Sequence, residues 1–383
     1  MVDDGSLMQS HSVGGGQLWP TKRSTGLKSL THHLVILTTL LVGVAASAST
    51  ILVPEDALSI QHAIDLAKPG DVVEVGPGRY LEQIDLRGKS ILLRGRDGAA
   101  KTIIDAANRN ESVVWCVAAE GPGTVLEGLT LTGGTGHIGI HGSDSAIGGG
   151  LLALGASPTI RDCIFKANAV NRNGGGAYCG KGSDVRFERC QFVENTAEKG
   201  AGVLAVASRP VFIDCAFKLN RADYSGGGVF AAKGSAPVFR GCTFEKNRAA
   251  YQGGGLCSLE SAGEILDSTF ERNFAGGRGG ALYLGFRTSM TASACSFEAK
   301  TDSVVGGDEI VRGEAYLGVC DLSATVCVLS EKSDCLAAGG IFRGKGTRCP
   351  AVDTTMQARQ DGDLNNDGDV DRSDMGILML LWH

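Results

Sequence analysis

The chain has 383 residues, a formal net charge of −6 and 12 cysteines. The negative balance argues against nucleic acid as a partner. Glycine, at 56 residues, is about twice its usual share and points to a turn-rich chain, and the cysteine count suggests an oxidising compartment.

Residues 1–48 read as a secretory signal peptide and not as fold. Lys22, Arg23 and Lys28 precede an apolar run from Leu34 to Ala46, and Ala46-Ser47-Ala48 offers a small-residue cleavage site. The run is shorter than the ~20 residues that cross a bilayer, so no stable membrane span is expected.

Residues 49–312 are expected to form one domain. Ile60 to Ala67 has the pattern of a short amphipathic helix, stopped by Lys68-Pro69-Gly70. Asp71 to Val75 reads as a strand, Gly76-Pro77-Gly78 as a turn, and Ile84, Leu86, Ile91 and Leu93 as further short apolar segments. Val125 to Leu131 is another such segment. The insertion after it, Gly133 to Ala146, carries His137, His141 and Asp144. The two histidines sit among glycines, so helical metal spacing does not apply. A polar surface loop is the ordinary account of this insertion, and a cleft between coils the sharper one.

From Ser157 to Phe297 one phrase is written six times: a small residue, any residue, Phe, two residues, and Asn in five copies. The phenylalanines are Phe165, Phe192, Phe217, Phe244, Phe270 and Phe297, spaced 27, 25, 27, 26 and 27 residues apart. Glycine clusters follow five copies, at Gly174 to Gly176, Gly200 with Gly202, Gly226 to Gly228, Gly253 to Gly255, and Gly279-Gly280. Such a period means a stacked repeat. Short apolar stretches between Gly, Asn, Asp and Ser favour strands over helices.

The expectation is an all-β parallel helix with three short strands per coil of ~26 residues and coils about 4.8 Å apart. Cys163, Cys190, Cys215 and Cys242 should form one ladder, the phenylalanines a second and the asparagines a third. Alternation breaks just before each Cys, which predicts a bend with Asp162, Asp214 or Asp267 at the corner. The glycines should turn the chain at positive φ. Stacked small apolar residues are the plain reading of the cysteines up to Cys295, and disulfides between rungs the alternative.

The Phe-x-x-Asn units, with Gly175-Gly176-Ala177, Gly228-Val229, Gly255-Leu256 and Gly279-Gly280-Ala281, resemble the repeat of the polymorphic outer-membrane proteins. That resemblance implies a right-handed parallel β-helix of the pectin-lyase-like superfamily, which also holds pectate lyases and pectin esterases. The segment from Ile60 resembles the first coils of pectin esterases, where a helix caps the open end of the solenoid. A bare terminal coil would expose unpaired strand edges. No paired carboxylate motif for glycoside hydrolysis is found, nor pectin-esterase motifs beyond the helix. A charged outer face accounts for Arg161, Arg186 and Arg240.

Residues 313–352 form a cysteine-rich module, with Cys320, Cys327, Cys335 and Cys349. About forty residues cannot stabilise a core alone, so two disulfides are expected, in any of three pairings. Residues 353–361 read as a linker. In residues 362–383, Asp363, Asn365, Asp367, Asp369, Asp371 and Asp374 stand at loop positions 1, 3, 5, 7, 9 and 12, with Gly368 at 6. That is the oxygen-ligand pattern of an EF-hand Ca2+ loop. Asp374 in place of the usual Glu, followed by Met375 to Trp382, resembles a single dockerin repeat. The resemblance implies calcium and a cohesin-like partner.

The leading functional expectation is a secreted or cell-surface, non-catalytic β-helix that binds extracellular polysaccharide or a cell-surface protein. Calcium at the C-terminus would form an attachment element. A polysaccharide lyase or glycoside hydrolase is the competing reading.

Overall fold

The computed structural model describes residues 48–107, 109–138, 145–285 and 287–298. It adds the backbone of four further strands, Val305–Gly307, Leu317–Ser323, Val326–Glu331 and Ile341–Arg343. The described part of the chain starts with strand Thr50–Val53 and the helix Ile60–Leu66. Ser59 Oγ accepts a hydrogen bond from the His62 amide, and the Glu82 carboxylate accepts from the amides of Ile60 and Gln61 at 3.0 Å each. At the other end Lys89 Nζ donates to the carbonyls of Ile64, Asp65 and Ala67. The helix ends therefore have the partners that helix ends lack within themselves. Ile60, Ala63 and Ile64 are fully buried, as a cap over the first coil requires.

Beyond the cap the chain winds as a solenoid. The first sheet runs from Thr50–Val53 through Val72–Val75, Leu92–Gly95 and Val125–Glu127 to Ser289–Ser293, all in parallel register. The second runs from Ile84–Asp85 to Val305–Gly307 and the third from Gly78–Tyr80 to Ser296–Glu298, with nine strands each. The parallel β-helix expected from the period is the architecture observed. The antiparallel strands Leu317–Ser323, Val326–Glu331 and Ile341–Arg343 then join the end of the first sheet, with Thr291 facing Val328. Cys320 and Cys327 fall on two of these adjacent strands.

The expected ladders are present. Phe165, Phe192, Phe217, Phe244 and Phe270 stack at centroid distances of 4.6, 4.9, 4.6 and 4.3 Å. A second column, Phe187, Phe212 and Phe239, stacks at 5.0 Å and meets the first edge-to-face. Both columns are fully buried. Asn168, Asn195, Asn220, Asn247 and Asn273 form a continuous amide chain, each Nδ2 donating to the next Oδ1 at 2.9 to 3.0 Å. Each buried Nδ2 also donates to a carbonyl of the preceding coil, such as Asn220 to Phe192 O at 2.8 Å. Buried polar groups are tolerated only when paired in this way.

Corners recur with the same regularity. Asp162, Asp214 and Asp267 have φ of 53°, 51° and 48°, as the broken alternation predicts. Gly174, Gly200, Gly226, Gly253 and Gly279 have φ of 60° to 70°. Two further corner columns carry positive φ without glycine or a distinctive residue type, namely Ala167, Glu194, Leu219 and Lys246, and Lys181, Ala207, Lys233 and Glu260.

One expectation needs correction. Several coils hold four strands and not three: Thr196–Lys199, Arg221–Ser225, Arg248–Ala249 and Phe274–Ala275 form a fourth sheet between the Asn and Gly corners. Its inward residues are single alanines, Ala197, Ala222, Ala249 and Ala275, which leave no apolar run to read. The plain reading of the cysteines up to Cys295 holds: all eight are buried thiols, and among the described residues no disulfide joins the rungs. The sulfurs of Cys190, Cys215, Cys242 and Cys295 lie against backbone carbonyls of the preceding coil, as Cys190 Sγ does at 3.3 Å from Ile160 O. The calcium-loop residues Asp363 to Asp374, with Cys335 and Cys349, lie outside the described residues. No helix among the described residues is long and apolar enough to cross a membrane.

Candidate functional site

Two features stand out on the outside of the solenoid. The first is the fourth sheet. Because Ala197, Ala222 and Ala249 point inward into a small apolar cluster with Val170 and Ala201, the residue before each alanine points out. Register places Thr196, Arg221, Arg248 and Phe274 in one row, with neighbours about 4.8 Å apart. The Arg248 guanidinium lies over the Phe274 ring at 4.5 Å, a cation–π contact. Arg221 pairs with Asp223 at 3.4 Å.

Beside this row, Tyr224 and Tyr251 stack at 5.4 Å and are 44% and 53% exposed. Lys199 Nζ sits 5.0 Å from the Tyr224 ring centre. Arg221, Asp223, Arg248, Ala250, Phe274 and Gly276 line an open groove of about 640 Å³.

This face differs from the other charged faces. On the first sheet and its corners the guanidiniums are held by carboxylates: Arg161 by Glu127, Arg189 by Asp162 through two bonds of 2.8 Å, and Arg209 by Asp184. Arg189 holds the Asp162 carboxyl below its ordinary value. Arg94, then Arg96, do the same for Glu74. Arg186 pairs with Glu188, and Arg240 is exposed. The charged outer face expected for Arg161 and Arg186 is therefore an ion-paired one. Arg248 has an aromatic ring for a neighbour and no carboxylate among the described residues.

The second feature is a cleft of about 410 Å³ on the outer side of the second sheet, lined by Trp115, Val117, His137, Leu152, Leu154 and Lys181. Strand Val114–Cys116 buries Val114 and Cys116 in the core, so Trp115 faces out. It stands in register with Leu152 of the next coil. His137 is fixed by paired bonds with Ile147, and its ring meets Trp115 edge-on at 4.6 Å. His137 Nδ1 lies 2.7 Å from Glu111 Oε2. Of the insertion's three residues singled out from the sequence, only His137 is brought to this cleft, while His141 and Asp144 lie outside the described residues. Glu111 and Trp115 went unread because nothing in their own segment marks them. The strand alternation around Trp115 was the available signal.

Among the described residues no three His, Cys, Asp or Glu side chains gather in a metal-binding arrangement. Nor do paired carboxylates face a common space at the cleft, where Glu111 is committed to His137.

A family model described as a right-handed β-helix region matches residues 116–299. No curated protein matches the chain in sequence. Among solved structures, pectate lyase Pel9A is similar at 12% identity and a TM-score of 0.37, over 65% of this chain and 78% of that one. Pectin methylesterase from Aspergillus niger is similar at 10% and 0.34, over 57% and 77%. Geobacillus virus E2 ORF18 is similar at 15% and 0.39, over 70% and 63%. Likeness at these levels says nothing of activity or ligand. The parallel register of three long sheets is that of a parallel β-helix, and over residues 116–299 the matched family model makes it a right-handed one.

Proposed function

We propose that the protein is a secreted, non-catalytic glycan-binding β-helix whose binding face is the fourth sheet. The observation that supports this most is the outward row Arg221, Arg248 and Phe274 beside the exposed Tyr224–Tyr251 stack. Aromatic faces take the apolar side of sugar rings, and guanidiniums bond hydroxyl or acid oxygens. A flat face repeated at the coil spacing suits an extended polymer better than a single small molecule.

Secretion rests on the basic flank, apolar run and Ala46-Ser47-Ala48 of residues 1–48. The resemblance of the repeats to those of polymorphic outer-membrane proteins agrees with a surface role. Asp363, Asn365, Asp367, Asp369, Asp371 and Asp374 supply the hard oxygen donors that Ca2+ prefers, and this tail would attach the protein to a cohesin-like or other surface partner. A lyase or hydrolase is the second reading, and the cleft at His137 is the feature that favours it.

The test is retention on a panel of immobilised extracellular glycans, combined with reducing-end and unsaturated-product assays, with and without calcium. Binding without turnover, weakened about tenfold by the double change Arg248→Ala and Tyr251→Ala, is the expected outcome. Turnover abolished by His137→Ala would replace the binding reading with the enzymatic one.

A further inference from the structure

The cleft beside His137 differs from the fourth sheet in its chemistry. Its floor is apolar, made by Trp115, Val117, Leu152 and Leu154. Its polar lining residues are His137 and Lys181. His137 is engaged with Glu111. Lys181 sits on a corner at φ 55°, exposed, with no ion-pair partner among the described residues. The Trp115 indole Nε1 is buried and has no hydrogen-bond partner among the described residues. With no accessible surface, this donor is out of a ligand's reach, and Trp115 meets the cleft through the rest of its ring.

The cleft volume of about 410 Å³ suits a small molecule. A sugar ring carries hydroxyls around its rim, and most would face Val117, Leu152 or Leu154, which offer no partner. A flat apolar ring with one acid group leaves no such mismatch. Its faces would pack on the indole and the leucines, and its carboxylate would pair with the Lys181 ammonium.

We propose that this cleft is a binding site for a small aromatic carboxylate. The proposal is independent of the glycan reading, because it uses no residue of the fourth sheet.

The test is calorimetric titration of the full chain with 4-hydroxycinnamate, with the corresponding alcohol, and with glucose and galacturonate, in parallel with Trp emission. The acid should saturate one site and quench emission, and Trp115→Phe should remove that quenching while calorimetric binding persists. The alcohol should bind about tenfold more weakly than the acid, and Lys181→Gln should abolish that difference by weakening the acid alone. Lys181 is exposed, so this variant should fold normally. Equal binding of acid and alcohol would overturn the proposal. So would absence of binding, or saturation by a sugar and not by the aromatic acid. Loss of glycan retention in the fourth-sheet variants would leave this titration unchanged, which separates the two readings.

Discussion

At the scale of single residues, the buried amides and thiols make the strongest commitments. Asn220 Oδ1 accepts from the backbone N–H and the Nδ2 of Asn195, and its own Nδ2 donates to Phe192 O and Asn247 Oδ1. Asn220→Ala would leave several of these groups dry and unpaired, and each such group costs about 1–3 kcal/mol. The expected loss of stability is about 3 kcal/mol, read by equilibrium urea unfolding. The thiols commit in a different way. Burial pushes Cys163 and Cys179 up to about 12, so neither carries appreciable thiolate near neutrality, and the thiolate is the reactive form. Iodoacetamide at pH 8 should leave both unlabelled in the native protein and modify both after guanidinium unfolding, as peptide mass spectrometry would show.

At the scale of the element, each coil depends on its glycine corner. Gly226 has φ of 70°, and a Cβ there would lie 2.6 Å from both Phe230 Cβ and Val229 O. Every one of the five described copies places glycine at this first corner position. Gly226→Ala must strain the backbone and displace the strand Val229–Ala232, which is paired with coils on both sides. The expected cost is about 3 kcal/mol, measurable as a shift in the denaturation midpoint. The fourth sheet rests on a thin core, since its inward face is a column of alanines. Alanine buries less area than the phenylalanine columns, so it adds less to stability.

At the scale of the whole molecule, stability should depend on pH from both ends. Glu74 is held low by Arg94 and then Arg96, Asp162 by Arg189, and Glu245 by Lys246 and then Lys218. Asp71 is held low by the backbone N–H groups of Lys68 and Ser49. A lowered carboxyl contributes stability that is complete above its unfolded value of about 4 and disappears as pH falls through the lower folded value. The buried thiols are raised, so their contribution is complete below the unfolded value of about 8.5 and declines as pH climbs towards the folded one. Thermal unfolding scans should therefore show a plateau between about pH 5 and pH 8, with losses on both sides. A midpoint that is flat from pH 3 to pH 10 would contradict the roles given to these groups.

The repeat determined much by itself. A period near 26 residues written six times fixes which residues share a column, because each coil must lie on the one before it. The Phe, Cys and Asn ladders and the Asp162, Asp214 and Asp267 corners were legible for that reason. The cap helix was legible too, since a short amphipathic run before Lys68-Pro69-Gly70 is a local signal. The fourth sheet was not, because its core side is one alanine per coil and its strands have no apolar alternation. Of the two candidate sites, only His137 was readable. Arg221, Arg248 and Phe274 are separated by about one coil each and mean nothing until register stacks them. Trp115, His137 and Glu111 meet only because the chain after Thr132 folds back across the second sheet through the His137–Ile147 pair. Columns follow from periodicity, but contact between unlike residues of different coils follows from the path of the chain, and only the tertiary structure decides that path.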